Sequence, residues 1–372
     1  MKIVFTCGGT AGHVNPALAL AQMFRDRNEG CEILFIGAEK GMEQRLVTQA
    51  GFPIRQVTVS TFERAWTWRI IRHNVKSLFK IPVGRIQARR ILKEFKPDLV
   101  VGTGGYASFP AVREAAAMGI PTAIHESNAV PGLTTKALSD KVDLVMVGFS
   151  EAKKAYGNAR RVEVTGTPVR GEFFTLDREE ARASLGLTDN RPLVVSFWGS
   201  QGAAHMNRRT CDFIRCWWEE DRPFHYIHSG GRNYEEMTAT LGEQGISLSR
   251  EELRPYIDNM PTVMAAADLV ICRAGASTLG EITAMGKPAV LVPSPYMAAN
   301  HQYENARVLA DRGAALLLEE QTVTGRSMYQ AAAELLADGS RRAVMGRSAR
   351  ELAAPRAAED IYQALMSLLA AQ

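Results

Sequence analysis

Short runs that are apolar on both faces, each passing through a glycine-rich turn into a helical stretch, recur along this chain and narrow the folds open to it. Lys2–Thr6 leads into Gly8-Gly9-Thr10-Ala11-Gly12-His13, and Asp98–Gly102 leads into Thr103-Gly104-Gly105-Tyr106-Ala107-Ser108. Pro192–Trp198 leads into Gly199-Ser200-Gln201-Gly202-Ala203, and Leu269–Cys272 into Arg273-Ala274-Gly275-Ala276. A strand with no polar face needs cover on both sides, and helices between successive strands imply parallel sheets covered on both sides. Further strands are expected near Glu32–Gly37, Ile54–Val59, Thr122–His125, Leu144–Val147 and Val162–Val164. In the second half they are expected near Phe224–His228, Ala289–Pro293 and Ala315–Leu318. Helices are read at Pro16–Asn28 and Phe109–Met118 among others.

The alternation breaks once, at the Gly/Pro-rich stretch Thr165–Gly171, and then restarts. Such a stretch reads as a linker, and 372 residues is about two domains' worth of chain. The expected division is 1–168, joined by a final helix over 355–372, and 169–354. Pro355 interrupts the helical C-terminal region and lets that helix turn back on the first domain. Two doubly wound α/β domains would present the carboxyl ends of their strands to a shared cleft, where ligands collect.

Composition narrows the class further. A net charge of +4 is too mild to argue for nucleic acid. The five cysteines, Cys7, Cys31, Cys211, Cys216 and Cys272, form no metal-type pair and read as reduced thiols. The chain enters a strand at once, so no signal peptide is expected. No apolar run approaches the ~18 residues of a membrane span, so membrane contact would be peripheral.

The turns carry the chemistry. Glycine permits a tight turn and close approach to a ligand, and a helix N-terminus points N–H groups at negative charge. The first loop fits neither Gly-x-Gly-x-x-Gly, since Thr10 stands at the second glycine, nor a P-loop, since no Lys-Ser/Thr follows. NAD and ATP are therefore disfavoured. The first-half turns would share one rim and form an anion nest; tight connections that let helices pack closely are the other reading. His125-Glu126-Ser127-Asn128 closes a buried strand with polar groups that need partners, although Ser127 and Asn128 also suit an ordinary turn. In the second half, Glu281 sits early in a helix, where the dipole favours a carboxylate and where sugar hydroxyls would also be within its chemistry.

In order along the chain, Gly8–His13, Gly102–Ser108, His125–Asn128 with Pro131-Gly132-Leu133-Thr134, Thr165–Arg170, Gly199–Ala203 and Arg273–Glu281 resemble the MurG family of bacterial glycosyltransferases, in glycosyltransferase family 28. The match spans essentially the whole chain. Three positions depart from the family pattern: Ala11 replaces a glycine, Ser127 a glutamine and Trp198 a glycine.

The resemblance implies a GT-B fold, two Rossmann-like domains facing across a cleft, and transfer of N-acetylglucosamine from UDP-GlcNAc to the muramic acid C4 hydroxyl of lipid I. It implies that Ile257 meets the uracil through its backbone and that Glu281 binds the ribose. Arg170, Ser200 and the helix start Ala276, Ser277, Thr278 and Leu279 would hold the diphosphate, and Arg273 and Gly280 would also line the substrate site. His301 and Gln302 would read the sugar, with Asn128, Thr10, Ala11 and Gly12 contacting it from the first domain. Gly9, Gly104, Gly105 and Tyr106 would hold the acceptor diphosphate. Such a displacement needs a base near the attacking hydroxyl: His13 leads, since imidazole titrates near neutrality, with Glu126 and His125 behind it. No Asp-x-Asp motif stands near these loops, so no metal cofactor is expected. A polyprenyl acceptor implies peripheral contact with the cytoplasmic face of the plasma membrane, near other cell-wall synthesis proteins. The basic, aromatic stretch Phe62–Arg85, with Trp66, Trp68, Ile71 and Phe79, is the expected contact. Another GT-B transferase with a lipid or natural-product acceptor, or a UDP-GlcNAc 2-epimerase, remains the alternative.

Overall fold

The computed structural model describes residues 1–39, 41–59, 68–199 and 202–371, and for residues 11, 68–81 and 298 the backbone alone. It divides into two compact units, Met1–Val169 with Arg356–Gln372, and Arg170–Pro355.

The first unit holds seven strands: β1 (Lys2–Thr6), β2 (Glu32–Ala38), β3 (Ile54–Val57), β4 (Leu99–Gly102), β5 (Thr122–Glu126), β6 (Leu144–Val147) and β7 (Val162–Val164). They form one parallel sheet in the order β3-β2-β1-β4-β5-β6-β7. Alternate side chains of a strand point to opposite faces. Accordingly Ile3 and Phe5 pack into one apolar cluster with Phe24 and Phe35, while Val4 packs into another with Leu92 and Val112. Winding starts at β1 and runs outward to β3, then crosses back to β4 on the other side. The ends of β1 and β4 therefore flank the point where the winding reverses, which is where open α/β sheets bind ligands.

The helix after β1 spans Ala11–Arg27. The sequence reading started it at Pro16, a natural first-turn residue; instead Pro16 lies inside it, which shortens the loop and puts His13 on the first helical turn. The helix Ala357–Ala370 packs on it. Rings of Phe24 and Tyr362 lie 4.7 Å apart, Asn28 Nδ2 donates to Tyr362 Oη at 3.2 Å, and Arg27 pairs with Glu359 at 2.5 Å. Ile361 and Leu365 are fully buried in the cluster of Phe5 and Phe35.

The second unit repeats the plan with β8 (Leu193–Phe197), β9 (His225–Ser229), β10 (Leu253–Arg254), β11 (Leu269–Cys272), β12 (Ala289–Leu291) and β13 (Ala315–Leu317). The order is β10-β9-β8-β11-β12-β13, again parallel, so the reversal falls between β8 and β11. Strand β10 escaped the sequence reading because it is two residues long, one of them arginine. The core beneath is aromatic, with Phe213 stacked on Tyr226 at 5.0 Å and Trp217 within 5.7 Å of the same ring.

The long helix Trp68–Phe95 carries Pro82 within it. Trp66 lies outside the described residues, and the side chains of Trp68, Ile71 and Phe79 are likewise outside them. Among the described side chains, Arg85 is not spent on a basic surface: Arg85 and Arg89 bond the two oxygens of buried Glu114, at 2.6 and 3.2 Å. No described helix is long and apolar enough to cross a membrane.

Because the helix Ala357–Ala370 completes the first unit's core, Leu365→Ala should lower stability by about 2–5 kcal/mol. Urea denaturation checks this; a change below about 0.5 kcal/mol would mean that the helix is not part of that core.

Candidate active site

At the reversal point of the first unit, Thr6 and Gly102 are paired neighbours, so the turns after β1 and β4 lie side by side. They pack backbone on backbone. A Cβ at Gly105, where φ is +81°, would run into the carbonyl oxygen of Gly8. A Cβ at Gly104 would sit 2.7 Å from the Nδ1 of His13. Positive φ falls on Gly9 at +88°, while Ala11 opens the helix in right-handed geometry. The extra methyl at that departure from the family pattern is therefore conformationally neutral.

His13 is held from both directions by Thr103, whose side chain is buried. Nδ1 lies 3.2 Å from the Thr103 carbonyl oxygen, and Thr103 Oγ1 donates to the His13 carbonyl at 2.7 Å. A carbonyl only accepts, so this contact places a proton on Nδ1, and the neutral ring then carries its lone pair on Nε2. That is the tautomer of a general base acting through Nε2.

The other two candidate bases are built into the fold. His125 is fully buried; its Nε2 bonds the Gly166 carbonyl at 2.8 Å and its Nδ1 meets Ser127 Oγ at 3.2 Å. Burial pushes its pKa down, and both ring nitrogens are engaged. Glu126, also buried, accepts from Asn128 N at 3.0 Å and Asn128 Nδ2 at 2.9 Å through one oxygen. Its other oxygen accepts from Gly132 N at 2.7 Å and Thr135 Oγ1 at 2.5 Å. Four hydrogen bonds make Glu126 the frame of the 127–135 loop, and Asn128 is the residue that it aims. Thr10 is exposed and caps no helix N–H with its side chain, and Gly12 lies within the first turn. Tyr106 packs over Gly9, since a Cβ there would lie 3.1 Å from the ring.

Gly9 is altered as an anion donor. Its N–H is already given to Glu43 Oε2 at 3.3 Å. Glu43 is fully buried and absent from the sequence reading.

In the second unit, Phe197 and Cys272 pair at the ends of β8 and β11. Trp198 turns into the core, where its indole N–H donates to Thr210 Oγ1 at 2.9 Å. Gly199 follows with φ +86°. Ser200 lies outside the described residues. Beyond β11, the helix Ala276–Met285 has no side-chain cap, and its first internal bond is Leu279 N–H to Gly275 O at 3.0 Å. The first-turn N–H groups of Ala276, Ser277 and Thr278 precede it, an arrangement suited to an anion.

Glu281 stands one turn further along, beside Gly280. Burial raises its carboxyl pKa to about 7, with Arg170 pulling it down and Glu172 pushing it up. Arg170 itself bonds Glu172 at 2.8 Å. Ile257 follows β10; the residue is 2% exposed, and its backbone N–H and C=O bond no other described residue. Buried backbone groups are nearly always paired, so an exposed-edge ligand with one acceptor and one donor suits it. Gln302 Oε1 accepts from Ser294 N at 2.9 Å, which reserves its amide N–H groups for a ligand, and His301 precedes it at the helix start.

Arg273 is built into the strand ends. Its guanidinium is nearly buried, donates to the Val292 carbonyl at 2.9 Å, pairs with buried Glu320 and lies over the Trp198 ring at 5.7 Å. His205 pairs with the same carboxylate. Arg273 therefore ties together the ends of β8, β11, β12 and β13. Below, His228 bonds Ser196 Oγ at 2.6 Å and Asn207 Oδ1 at 3.3 Å, and Asn207 Nδ2 reaches the Gly230 carbonyl at 2.7 Å. Burial lowers the His228 pKa to about 3, so it stays neutral. Glu43, His205, Asn207, His228 and Glu320 were not singled out from the sequence. The only signal for Glu43 was its setting among Gly37 and Gly41 just after a strand. Among the described residues no group of three or more His, Cys, Asp or Glu is arranged to hold a metal ion.

Comparison with known proteins gives a consistent answer. The profile of the glycosyltransferase family 28 N-terminal domain matches residues 3–147, and that of its C-terminal domain matches residues 193–361. A protein of Acetivibrio thermocellus is 41% identical over 370 residues, 99% of this chain and 98% of its own. One of Halothermothrix orenii is 42% identical over 361 residues, 95% of each chain. Both are named UDP-N-acetylglucosamine–N-acetylmuramyl-(pentapeptide) pyrophosphoryl-undecaprenol N-acetylglucosamine transferase. Among solved structures, Acinetobacter baumannii MurG superposes with a TM-score of 0.76 at 29% identity, covering 98% of this chain and 99% of its own. The calicheamicin glycosyltransferase CalG4, at 18% identity and a TM-score of 0.72 over 99% and 98% of the two chains, shares the fold.

The Glu281 environment makes a direct prediction. In the unliganded protein its carboxyl should titrate with a midpoint of about 7 by carbon-detected NMR, against about 4.3 for an ordinary glutamate. Arg170→Met should move the midpoint up and Glu172→Gln should move it down. A midpoint near the ordinary value would show that the site is wetter than described.

Proposed function

This chain belongs to glycosyltransferase family 28, and from that premise we propose that it transfers N-acetylglucosamine from UDP-GlcNAc to the C4 hydroxyl of the muramic acid of lipid I, forming lipid II for peptidoglycan. The near-complete coverage of relatives that carry this activity in their names supports the reading. The single structural observation that carries it is the fixed imidazole of His13 at the first unit's reversal point.

The acceptor oxygen attacks C1 from the face opposite the leaving group. The new C–O bond forms as the bond from C1 to the β-phosphate oxygen of UDP breaks, so the anomeric centre inverts. The hydroxyl proton passes to Nε2 of His13, whose Nδ1–H stays on the Thr103 carbonyl. Charge developing on UDP is met by the uncapped helix start at Ala276–Thr278 and by Arg170. Ile257 offers one donor and one acceptor to the uracil edge. Glu281, in its ionised form, accepts both ribose hydroxyls. Gln302 donates to the sugar, and Asn128, held by Glu126, is a polar group of the first unit's own rim. Gly104, Gly105 and Tyr106 remain for the acceptor diphosphate, with Gly9 contributing room rather than its N–H.

Action on a polyprenyl-linked acceptor requires contact with the membrane's cytoplasmic face. The described end of the helix Trp68–Phe95 supports this placement: Ile86 is 70% exposed and Val83 45%, with Arg90 beside them largely exposed. Exposed apolar side chains beside an arginine, here paired with Glu94 at 2.9 Å, suit an anionic lipid surface.

Three experiments test these assignments. Labelled GlcNAc should move from UDP-GlcNAc to a lipid I analogue, unchanged by EDTA. His13→Ala should lower kcat by about 100-fold or more while calorimetry finds the UDP-GlcNAc Kd unchanged; near-normal turnover would remove His13 as base. Ile86→Asp should reduce co-sedimentation with phosphatidylglycerol vesicles, and full retention would move the contact elsewhere.

A further inference from the structure

Glu43 is a fully buried carboxylate at the first rim, and no element of the reaction above uses it. It belongs to the helix Met42–Gln49, which follows β2. Its Oε1 accepts from Ala38 N, at the end of β2, at 2.8 Å, and its Oε2 accepts from Gly9 N at 3.3 Å. Among the described residues no cation pairs with it. An uncompensated buried carboxylate is costly, so its place needs a reason.

Space is kept for it by glycines. A Cβ at Gly8 would lie 2.7 Å from Oε1, one at Gly37 would lie 2.6 Å from Cγ, and one at Gly41 would collide with the whole carboxylate. Gly8 is thus constrained from both sides, by Ala107 of the neighbouring turn and by Glu43. The carboxylate acts on its neighbours as a charge: it contributes to raising the Cys7 thiol and the Tyr106 hydroxyl pKa values, in each case after burial itself. Cys7 and Tyr106 bracket the two turns that hold His13.

We propose that Glu43 is a positioning residue for the transfer step: by holding the Gly9 N–H it fixes the Gly8–Gly9 turn, and through that turn sets where His13 presents Nε2 to the attacking hydroxyl. Gly9 precedes His13 by four residues, and between them the chain goes directly into the first helical turn, where His13 N bonds Thr10 O at 3.1 Å. The extended Thr10 (φ −143°) is the sole non-helical residue separating Gly9 from the helix. A shift of the Gly9 peptide is therefore passed to the imidazole with little slack. Thr103 orients the ring; Glu43 locates the turn on which the ring stands. The inference rests on His13 being the base.

The test is a double-mutant cycle in lipid I transfer with Glu43→Gln, His13→Ala and the pair. Glutamine keeps the size and one acceptor but sets an amide N–H against a backbone N–H. With His13 present, Glu43→Gln should lower kcat about 10- to 100-fold, with the UDP-GlcNAc Kd within twofold of wild type. In the His13→Ala background the same change should cost less than about twofold, since groups that act as a unit are not additive. Amide exchange at Gly9 should accelerate in Glu43→Gln, with far-UV circular dichroism unchanged. An equal loss in both backgrounds, a parallel loss of donor affinity, or unchanged kcat would overturn the proposal while leaving His13 as base. Normal turnover by His13→Ala alone would instead overturn the base assignment, and this inference with it. If Glu43→Gln fails to fold, Glu43→Asp, which keeps the charge but shortens the reach, takes its place in the cycle with the same expected coupling.

Discussion

Every loop at the working end of these sheets must dispose of backbone N–H groups and fixed charges away from water, and buried carboxylates do much of this. Glu43 takes the Gly9 and Ala38 N–H groups, Glu126 takes four donors from the 128–135 loop, and Glu320 takes Arg273 and His205. Each comes from an element other than a glycine-rich turn or, for Glu126, from the strand end beneath its loop. The turns supply close approach and the acids supply rigidity. A glycine-rich loop alone is conformationally permissive; held by a buried anion, it becomes a fixed platform.

The two rims divide the chemical work differently. The first is organised around one imidazole, with Thr103 choosing its tautomer. The second is organised around neutralisation and recognition, with an uncapped helix, Arg170 and a glutamate whose burial holds it near its ionisation point at neutral pH. Arg273 serves this second rim by joining strand ends, so its loss would loosen several contacts at once rather than delete one.

Much of this was readable from residues. Apolar runs spaced by helices gave both parallel sheets, because a strand buried on both faces has no polar alternation to hide it. The turns after β1, β4 and β8 were located because glycine clusters mark positions of positive φ, and the one after β11 because its small residues join a strand to a helix. What the sequence left open was direction. Spacing places Arg273, His125 and Glu126 at strand ends but does not say whether each points outward or inward, and all three point inward. The helix at Ala11 began earlier than Pro16 suggested, because tertiary packing tolerates a proline one turn into a helix. Glu43 and Glu320 are single acids in unremarkable stretches, and their partners are 34 and 47 residues away in the chain for Gly9 and Arg273. No local pattern encodes such pairings.

The return of the chain to the first unit has a consequence for synthesis. The cluster of Phe5, Phe24 and Phe35 is closed by Ile361 and Leu365, which are translated some 340 residues after Phe24. The second unit, Arg170–Pro355, is contiguous and has all of its own strands in hand before that helix emerges. On the ribosome the part made first would therefore wait with one cluster of its core unfinished while the part made second reaches its final form, so the order of maturation runs against the order of translation.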